Sequence, residues 1–214
     1  QEYFCKPIQK RSCIIHNPIS KVAVEQTVGD DKKVFEIVSV GRLEPQKNFA
    51  LLINSFKQFH DKFRDSTLTI YGEGHLRKEL ENQIQSLSLE GAVTLPGNQK
   101  NVIELIADKS VFVLSSDYEG MSNALMEAMA FGVPCISSDC KTGPKSLIKP
   151  FENGLLFRTN NIEDLKDKME WAMANPEQMA ECGKRARQCL LEEYSSENAL
   201  EKMQILLNYV KERE

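Results

Sequence analysis

Two carboxylates, Glu119 and Glu127, stand eight positions apart around the segment Gly120-Met121-Ser122-Asn123. The run Val111-Phe112-Val113-Leu114 before them reads as a buried strand, and Ser122 to Phe131 reads as a helix. A strand, a tight turn and a helix N-terminus make an anion-binding device, because unpaired backbone N–H groups point out of the turn. Carboxylates beside such a device accept hydrogen bonds from sugar or ribose hydroxyls. The pattern points to a ligand with phosphate in its middle and hydroxyls at both ends. Spacing by itself is cheap, since Glu36 and Glu44, Glu73 and Glu81, and Glu193 and Glu201 share it. The setting sets the Glu119–Glu127 pair apart. It still leaves open a plainer reading, in which Glu127 only complements the helix dipole, off the apolar stripe Ala124, Leu125, Ala128, Met129.

A second cluster follows an earlier strand, Phe35 to Val40, in Gly41-Arg42-Leu43-Glu44-Pro45-Gln46-Lys47. Gly41 lets the backbone turn beside a ligand. Arg42 offers a forked donor for phosphate oxygens, and Lys47 a mobile point charge. Two cations in one strand-end loop suit a diphosphate leaving group; a solvated loop with its charges paired to Glu44 is the alternative. Gly72-Glu73-Gly74 lacks the spacing of a dinucleotide fingerprint, and no G-x-x-x-x-G-K-[ST] run is present. No D-x-D occurs, so no metal-bridged diphosphate is expected. The cations would then neutralise the leaving group themselves.

The elements that must position these groups alternate. Strands are predicted at 35–40, 68–71, 93–95, 111–114, 135–137 and 154–157, and helices at 49–63, 75–89, 102–107 and 122–131. Such alternation implies parallel pairing and right-handed crossovers, hence a doubly wound α/β sheet with helices on both faces. Gly41, Gly72, Gly74, Gly97 and Gly120 all follow strands and should gather on one rim, where such sheets bind ligands. Before this region, Ile14-Ile15 reads as a short strand stopped by Asn17-Pro18, and 21–33 as loop. After it come helices at 162–175 and 176–193, and a last one from Ser195 to about Lys211. The apolar stripe of that last helix, Leu200, Met203, Leu207 and Val210, needs a partner surface.

Composition is that of an ordinary globular chain of 214 residues. A net charge of -4 argues against broad nucleic-acid binding. No apolar run approaches membrane-span length, and no signal-peptide pattern is expected from the opening residues. The six cysteines form no C-x-x-C pair, and His16, His60 and His75 lie far from paired thiols, so neither a disulfide scaffold nor a zinc site is expected. His16 reads as structural, and a reduced cytoplasmic protein is the expectation. The chain opens at Gln1 rather than methionine, which points to a fragment or a processed chain.

From about Ile14 to Val210 the sequence resembles the C-terminal, donor-binding domain of retaining GT-B glycosyltransferases of the large group 1 family. The resemblance rests on His16-Asn17-Pro18-Ile19, the G-R-L-x-x-x-K loop from Gly41 to Lys47, and Gly72-Glu73-Gly74. The most specific block is Glu119-Gly120 leading to Glu127-Ala128-Met129-Ala130-Phe131-Gly132-Val133-Pro134.

The resemblance implies one half of a GT-B fold: a leading linker segment at 1–34, a Rossmann-like donor domain at 35–194, and a C-terminal helix at 195–214 that packs on an N-terminal domain absent from this sequence. It implies a metal-independent, cofactor-free hexosyl transfer from a nucleotide-diphospho-sugar, with uridine preferred on family frequency. Arg42 and Lys47 would hold the diphosphate, with Gly41 beside it. Glu119 would contact the sugar, with Arg42, Lys47 and Glu119 forming the catalytic set. Gly120, Met121, Ser122 and Asn123 would approach the sugar and distal phosphate, Glu127 the ribose, and Gly97, Asn101 and Val102 the base. The acceptor, a saccharide or lipid-linked saccharide, would be bound by the absent N-terminal domain. The isolated chain is therefore expected to bind donor without transferring. Peripheral association with the inner face of the membrane is compatible with such an acceptor. Two other readings stand beside this one: a noncatalytic nucleotide-binding or assembly module, and a GT-B-like sugar-nucleotide epimerase.

Overall fold

Apolar runs such as VFVL make strands that must be covered on both faces. A computed structural model describes residues 34–195, 198–201 and 203–205 of the chain. Six strands form one parallel sheet: β1 (Phe35–Val40), β2 (Ser66–Tyr71), β3 (Val93–Gly97), β4 (Val111–Leu114), β5 (Cys135–Ser138) and β6 (Leu155–Phe157). The helices are α1 (Phe49–Lys62), α2 (Arg77–Ser86), α3 (Val102–Ile106), α4 (Asn123–Ala130), α5 (Pro144–Leu147), α6 (Ile162–Ala174) and α7 (Pro176–Glu193). A 3₁₀ turn at Pro45–Lys47 leads into α1.

The strand order is β3-β2-β1-β4-β5-β6. The chain winds outward from β1 through β2 to β3, then returns to β4 and winds the other way. β1 pairs with β2 (Phe35 opposite Ser66) and with β4 (Ile37 opposite Val111). Consecutive strand residues face opposite cores. Ile37, Leu68, Ile70 and Val113 pack with Phe56 and Phe59 of α1 and with Leu165 and Met169 of α6. Val38, Phe112 and Leu114 pack with Leu125 and Met129 of α4 and with Ala186 and Leu190 of α7. Helices therefore cover both faces, as the alternation predicts.

Local signals set the helix starts. Asn48, at φ 47°, accepts the Leu51 amide to cap α1, Ser122 caps α4 through the Leu125 amide, and Asn161 caps α6 through the Asp164 amide. Pro176 opens α7 at the first turn, where its missing N–H is harmless. The helix predicted at 75–89 is shorter. Leu76 gives its amide to the Leu43 carbonyl at 3.1 Å, and Ser88 turns left-handed at φ 55°, so only 77–86 wind. On α4, Leu125, Ala128 and Met129 of the predicted stripe are buried and Ala124 is half-buried, and Met126 and Ala130 are buried as well, because the helix lies between the sheet and α7.

Residues 198–201 and 203–205 are helical. Leu200, Met203 and Ile205 there are exposed. The strand at Ile14-Ile15, His16, the Asn17-Pro18 stop, the 21–33 loop, Cys5, Cys13, Leu207 and Val210 lie outside the described residues. Cys135, Cys140, Cys182 and Cys189 are free thiols.

The α4–α7 contact depends on backbone closeness. A Cβ on Gly183 would lie 2.1 Å from the Gly132 carbonyl oxygen, whereas one on Gly91 meets nothing within 4 Å. Gly183→Ala is expected to lower stability by about 2 kcal/mol in urea denaturation, as overpacked sites do. Gly91→Ala should stay within about 0.5 kcal/mol of the parent. Equal denaturation midpoints for the two variants would contradict this packing account.

Candidate functional site

Between β1 and β4 the winding reverses, so the loops leaving their carboxyl ends diverge and open a crevice. The loop after β1 is laid against the loop after β2. The Leu43 amide bonds to the Glu73 carbonyl at 2.9 Å, and the Gly41 amide to the Tyr71 carbonyl at 2.9 Å. Gly72 adopts φ 141°, and a Cβ there would sit 1.9 Å from the Gly41 carbonyl oxygen. Only glycine allows this approach. The Gly72 amide in turn bonds to the Gly97 carbonyl at 3.0 Å. Gly41, Gly72, Gly74 and Gly97 thus meet on one rim, as expected.

The β1 loop is also tied across the crevice to the loop after β4. Lys47 Nζ makes an ion pair with Glu119 Oε1, at 15% and 8% side-chain exposure. Ser116 Oγ donates to the same oxygen at 2.7 Å. Around this pair, Ser115 Oγ donates to the Lys47 carbonyl (2.7 Å) and the Asp117 amide to the Gln46 carbonyl (2.9 Å). Gln46 Nε2 donates to the Tyr118 carbonyl (2.8 Å) and Asn48 Nδ2 to Asp117 Oδ1 (2.6 Å). Lys47 is therefore held, not mobile. Glu44, the partner considered for the loop cations, instead lies 2.9 Å from His75 Nδ1.

A third loop, after β5, supports Glu119 from behind. Thr142 Oγ1 donates to the Glu119 carbonyl. Gly143, at φ 78°, approaches so closely that a Cβ would fall 1.6 Å from the Gly120 carbonyl oxygen. Gly120 itself is exposed and faces open space. Among the described residues, the amides of Gly120, Met121, Ser122, Asn123 and Ala124 have no recorded acceptor, while Leu125 bonds to Ser122 Oγ. These donors stand free at the start of α4, where helix N-termini carry unsatisfied N–H groups.

The predicted residues divide into those in contact and those beside them. Lys47 and Glu119 touch. Arg42 is exposed, and among the described residues no ion pair or hydrogen bond engages its guanidinium. Glu127 is half-buried on α4, five residues past the Ser122 cap, and no described group bonds its carboxylate. Gly97 ends β3, and Asn101 and Val102 follow it further along the rim. Asn101 is exposed at φ 58°. Val102 and Met121 pack against the same core as Val40 and Tyr71, joining the loop after β3 to the loop after β4. Sequence reasoning missed Ser116, Thr142 and Gly143. The Gly143-Pro144 dipeptide is a turn signal at a strand's carboxyl end and could have flagged the last.

Strand order and the convergence of these loops define one Rossmann-like half of a GT-B fold. A sequence profile of the glycosyl transferases group 1 family matches residues 23–189. The poly(ribitol-phosphate) alpha-N-acetylglucosaminyltransferase of Staphylococcus aureus is 32% identical over 194 residues, 91% of this chain and 38% of that protein. A Campylobacter jejuni alpha-N-acetylgalactosaminyltransferase acting on a diphospho-undecaprenol saccharide is 35% identical over 157 residues, 72% of this chain and 42% of that protein. A crystal structure of a variant of S. aureus TarM with fondaparinux, alpha-GlcNAc-glycerol and UDP superposes with a TM-score of 0.78. That likeness has 30% identity and covers 92% of this chain and 38% of that one. The chain belongs to the glycosyl transferases group 1 family, and it spans less than half the length of each of these relatives.

Burial raises the Glu127 carboxyl above its ordinary value of 4.5. The folded state then holds this proton after the unfolded chain has released it, so stability falls as pH rises from about 4.5 through the raised value. Glu127→Gln should therefore raise the urea midpoint at about pH 7 and give no gain below about pH 4. The same gain at both pH values would contradict a desolvated carboxylate at this position.

Proposed function

We propose that the chain is the donor-binding half of a retaining glycosyltransferase that uses a nucleotide-diphospho-sugar, with a UDP-sugar as first choice. The observation that carries this reading is the buried Lys47–Glu119 pair at the winding reversal, beside free amides at 120–124. Arg42 and Lys47 supply positive charge for the diphosphate, and the amides of Gly120, Met121 and Ser122 supply donors. Glu119 accepts hydrogen bonds from sugar hydroxyls, and Glu127 from the ribose. The loop carrying Gly97, Asn101 and Val102 lies on the side where the base would extend.

In this reading the acceptor oxygen bonds to the anomeric carbon on the face where the carbon–oxygen bond to the diphosphate breaks, and the acceptor's hydroxyl proton passes to the departing diphosphate. Arg42 and Lys47 stabilise the negative charge gained by that diphosphate, without a metal or other cofactor. Glu119 orients the sugar and is not a nucleophile; holding the donor in one geometry provides much of the rate. The acceptor is a saccharide or lipid-linked saccharide, bound by an N-terminal half that packs on the exposed Leu200, Met203 and Ile205. The isolated chain binds donor and does not transfer. The whole enzyme works in the cytoplasm, or peripherally at the inner membrane face. Among the described residues no helix is long and apolar enough to cross a membrane. Support for the donor comes from the UDP held by the S. aureus neighbour and from the transferase names of the relatives.

Calorimetric titration with UDP, GDP and UDP-N-acetylglucosamine tests the reading. Glu127→Ala should weaken bare UDP about tenfold, the scale of a lost hydrogen bond to a charged group. Glu119→Ala should leave bare UDP no weaker and erode the preference for the sugar nucleotide. Absence of binding by the parent chain at millimolar nucleotide would sink the donor-site assignment. Equal losses of bare UDP binding in both variants would overturn the division of roles.

A further inference from the structure

The two cations assigned to the diphosphate are not equivalent. Arg42 is exposed and unengaged among the described residues, whereas Lys47 is already claimed by Glu119 in a largely buried contact. Glu119 Oε1 receives both Lys47 and Ser116 Oγ, and no described residue engages Oε2. Its backbone is fixed by Thr142. The carboxylate is therefore anchored through one oxygen and offers the other. An anion reaching Lys47 must share the ammonium with Glu119 or draw it away. Because the contact is largely shielded from water, the exchange is felt more strongly than at an exposed pair.

We infer that Lys47 is a shared counter-ion that couples the phosphate subsite to the sugar subsite, so that diphosphate binding resets the carboxylate of Glu119. The inference rests on the donor-site reading. Arg42 is then the cation that recruits the diphosphate without cost to another contact. Lys47 is the one that reports its arrival to Glu119. When a nucleoside diphosphate departs, Glu119 reclaims the ammonium, which weakens the hold on a leaving product. Glu119 thus disfavours a diphosphate that brings no sugar hydroxyls to its free oxygen.

The test is carbon-13 NMR of the full chain labelled at the glutamate side-chain carboxyls, with the Glu119 resonance assigned by its loss in Glu119→Asp. Bare UDP at saturation should shift that resonance in the parent. The shift should persist in Arg42→Gln, which needs more UDP to saturate, and shrink severalfold in Lys47→Gln at saturation. A Glu119 resonance that ignores bound UDP, or that responds equally in Lys47→Gln, overturns the coupling while the donor site stands. Calorimetry supplies a second arm. Glu119→Gln should bind bare UDP roughly three- to tenfold more tightly, the scale of one ion pair released from competition. Unchanged or weaker UDP binding in that variant also overturns the inference. No UDP binding by the parent overturns the donor-site reading and the coupling together.

Discussion

Loops that leave neighbouring parallel strands with opposite winding have no reason to stay together, and here one buried ion pair joins them. Lys47 comes from the β1 side and Glu119 from the β4 side, 72 positions apart in sequence. Taking both charges out of water costs several kcal/mol for each ion. The cost is met only if the remaining valences are satisfied, and Ser116 satisfies one on the shared oxygen. Four further bonds, through Ser115, Gln46, Asn48 and the Asp117 amide, lock the two backbones in register. Removing one partner of the pair would leave the other charged and unpaired in a largely buried position, which is destabilising. The two sides of the winding reversal are therefore tied together by charge and by backbone contacts.

At this reversal the functional groups divide into held and free. Lys47, Ser116, Glu119 and Thr142 are mutually engaged, while Arg42, Glu127 and the amides at 120–124 are not. Free donors, a free guanidinium and a carboxyl raised by its own burial are costly or neutral to the fold. In the proposed donor site they are the groups whose partners arrive with the ligand. Stability given up at a binding site is a common exchange.

The sheet was legible because β4 is an unbroken apolar run, β1 to β3 interleave apolar with polar residues over a short length, and each long helix carries a regular stripe. β4 and α7 fall within the predicted limits to the residue. The rim was legible from glycines placed just after strands. The 3₁₀ turn at Pro45–Lys47 and α5 were not, because segments of three and four residues have too few positions to show a period. The boundary of α2 was lost to tertiary bonding, since the Leu76 amide goes to Leu43 rather than into a helix. Individual site residues were legible through their types. Their pairing was not: nothing local tells Lys47 to prefer Glu119 over Glu44, or sends Thr142 to a carbonyl 23 residues away. Those contacts exist only once strand order brings the β1, β4 and β5 loops to one rim.

The most direct measurement of the central claim is a crystal structure of this chain with UDP. Its diphosphate should lie between Arg42 and Lys47 on one side and the amides of Gly120 to Ser122 on the other, with the ribose toward Glu127. Density for the nucleotide elsewhere on the molecule, with the Lys47–Glu119 crevice still filled by solvent, would contradict the account.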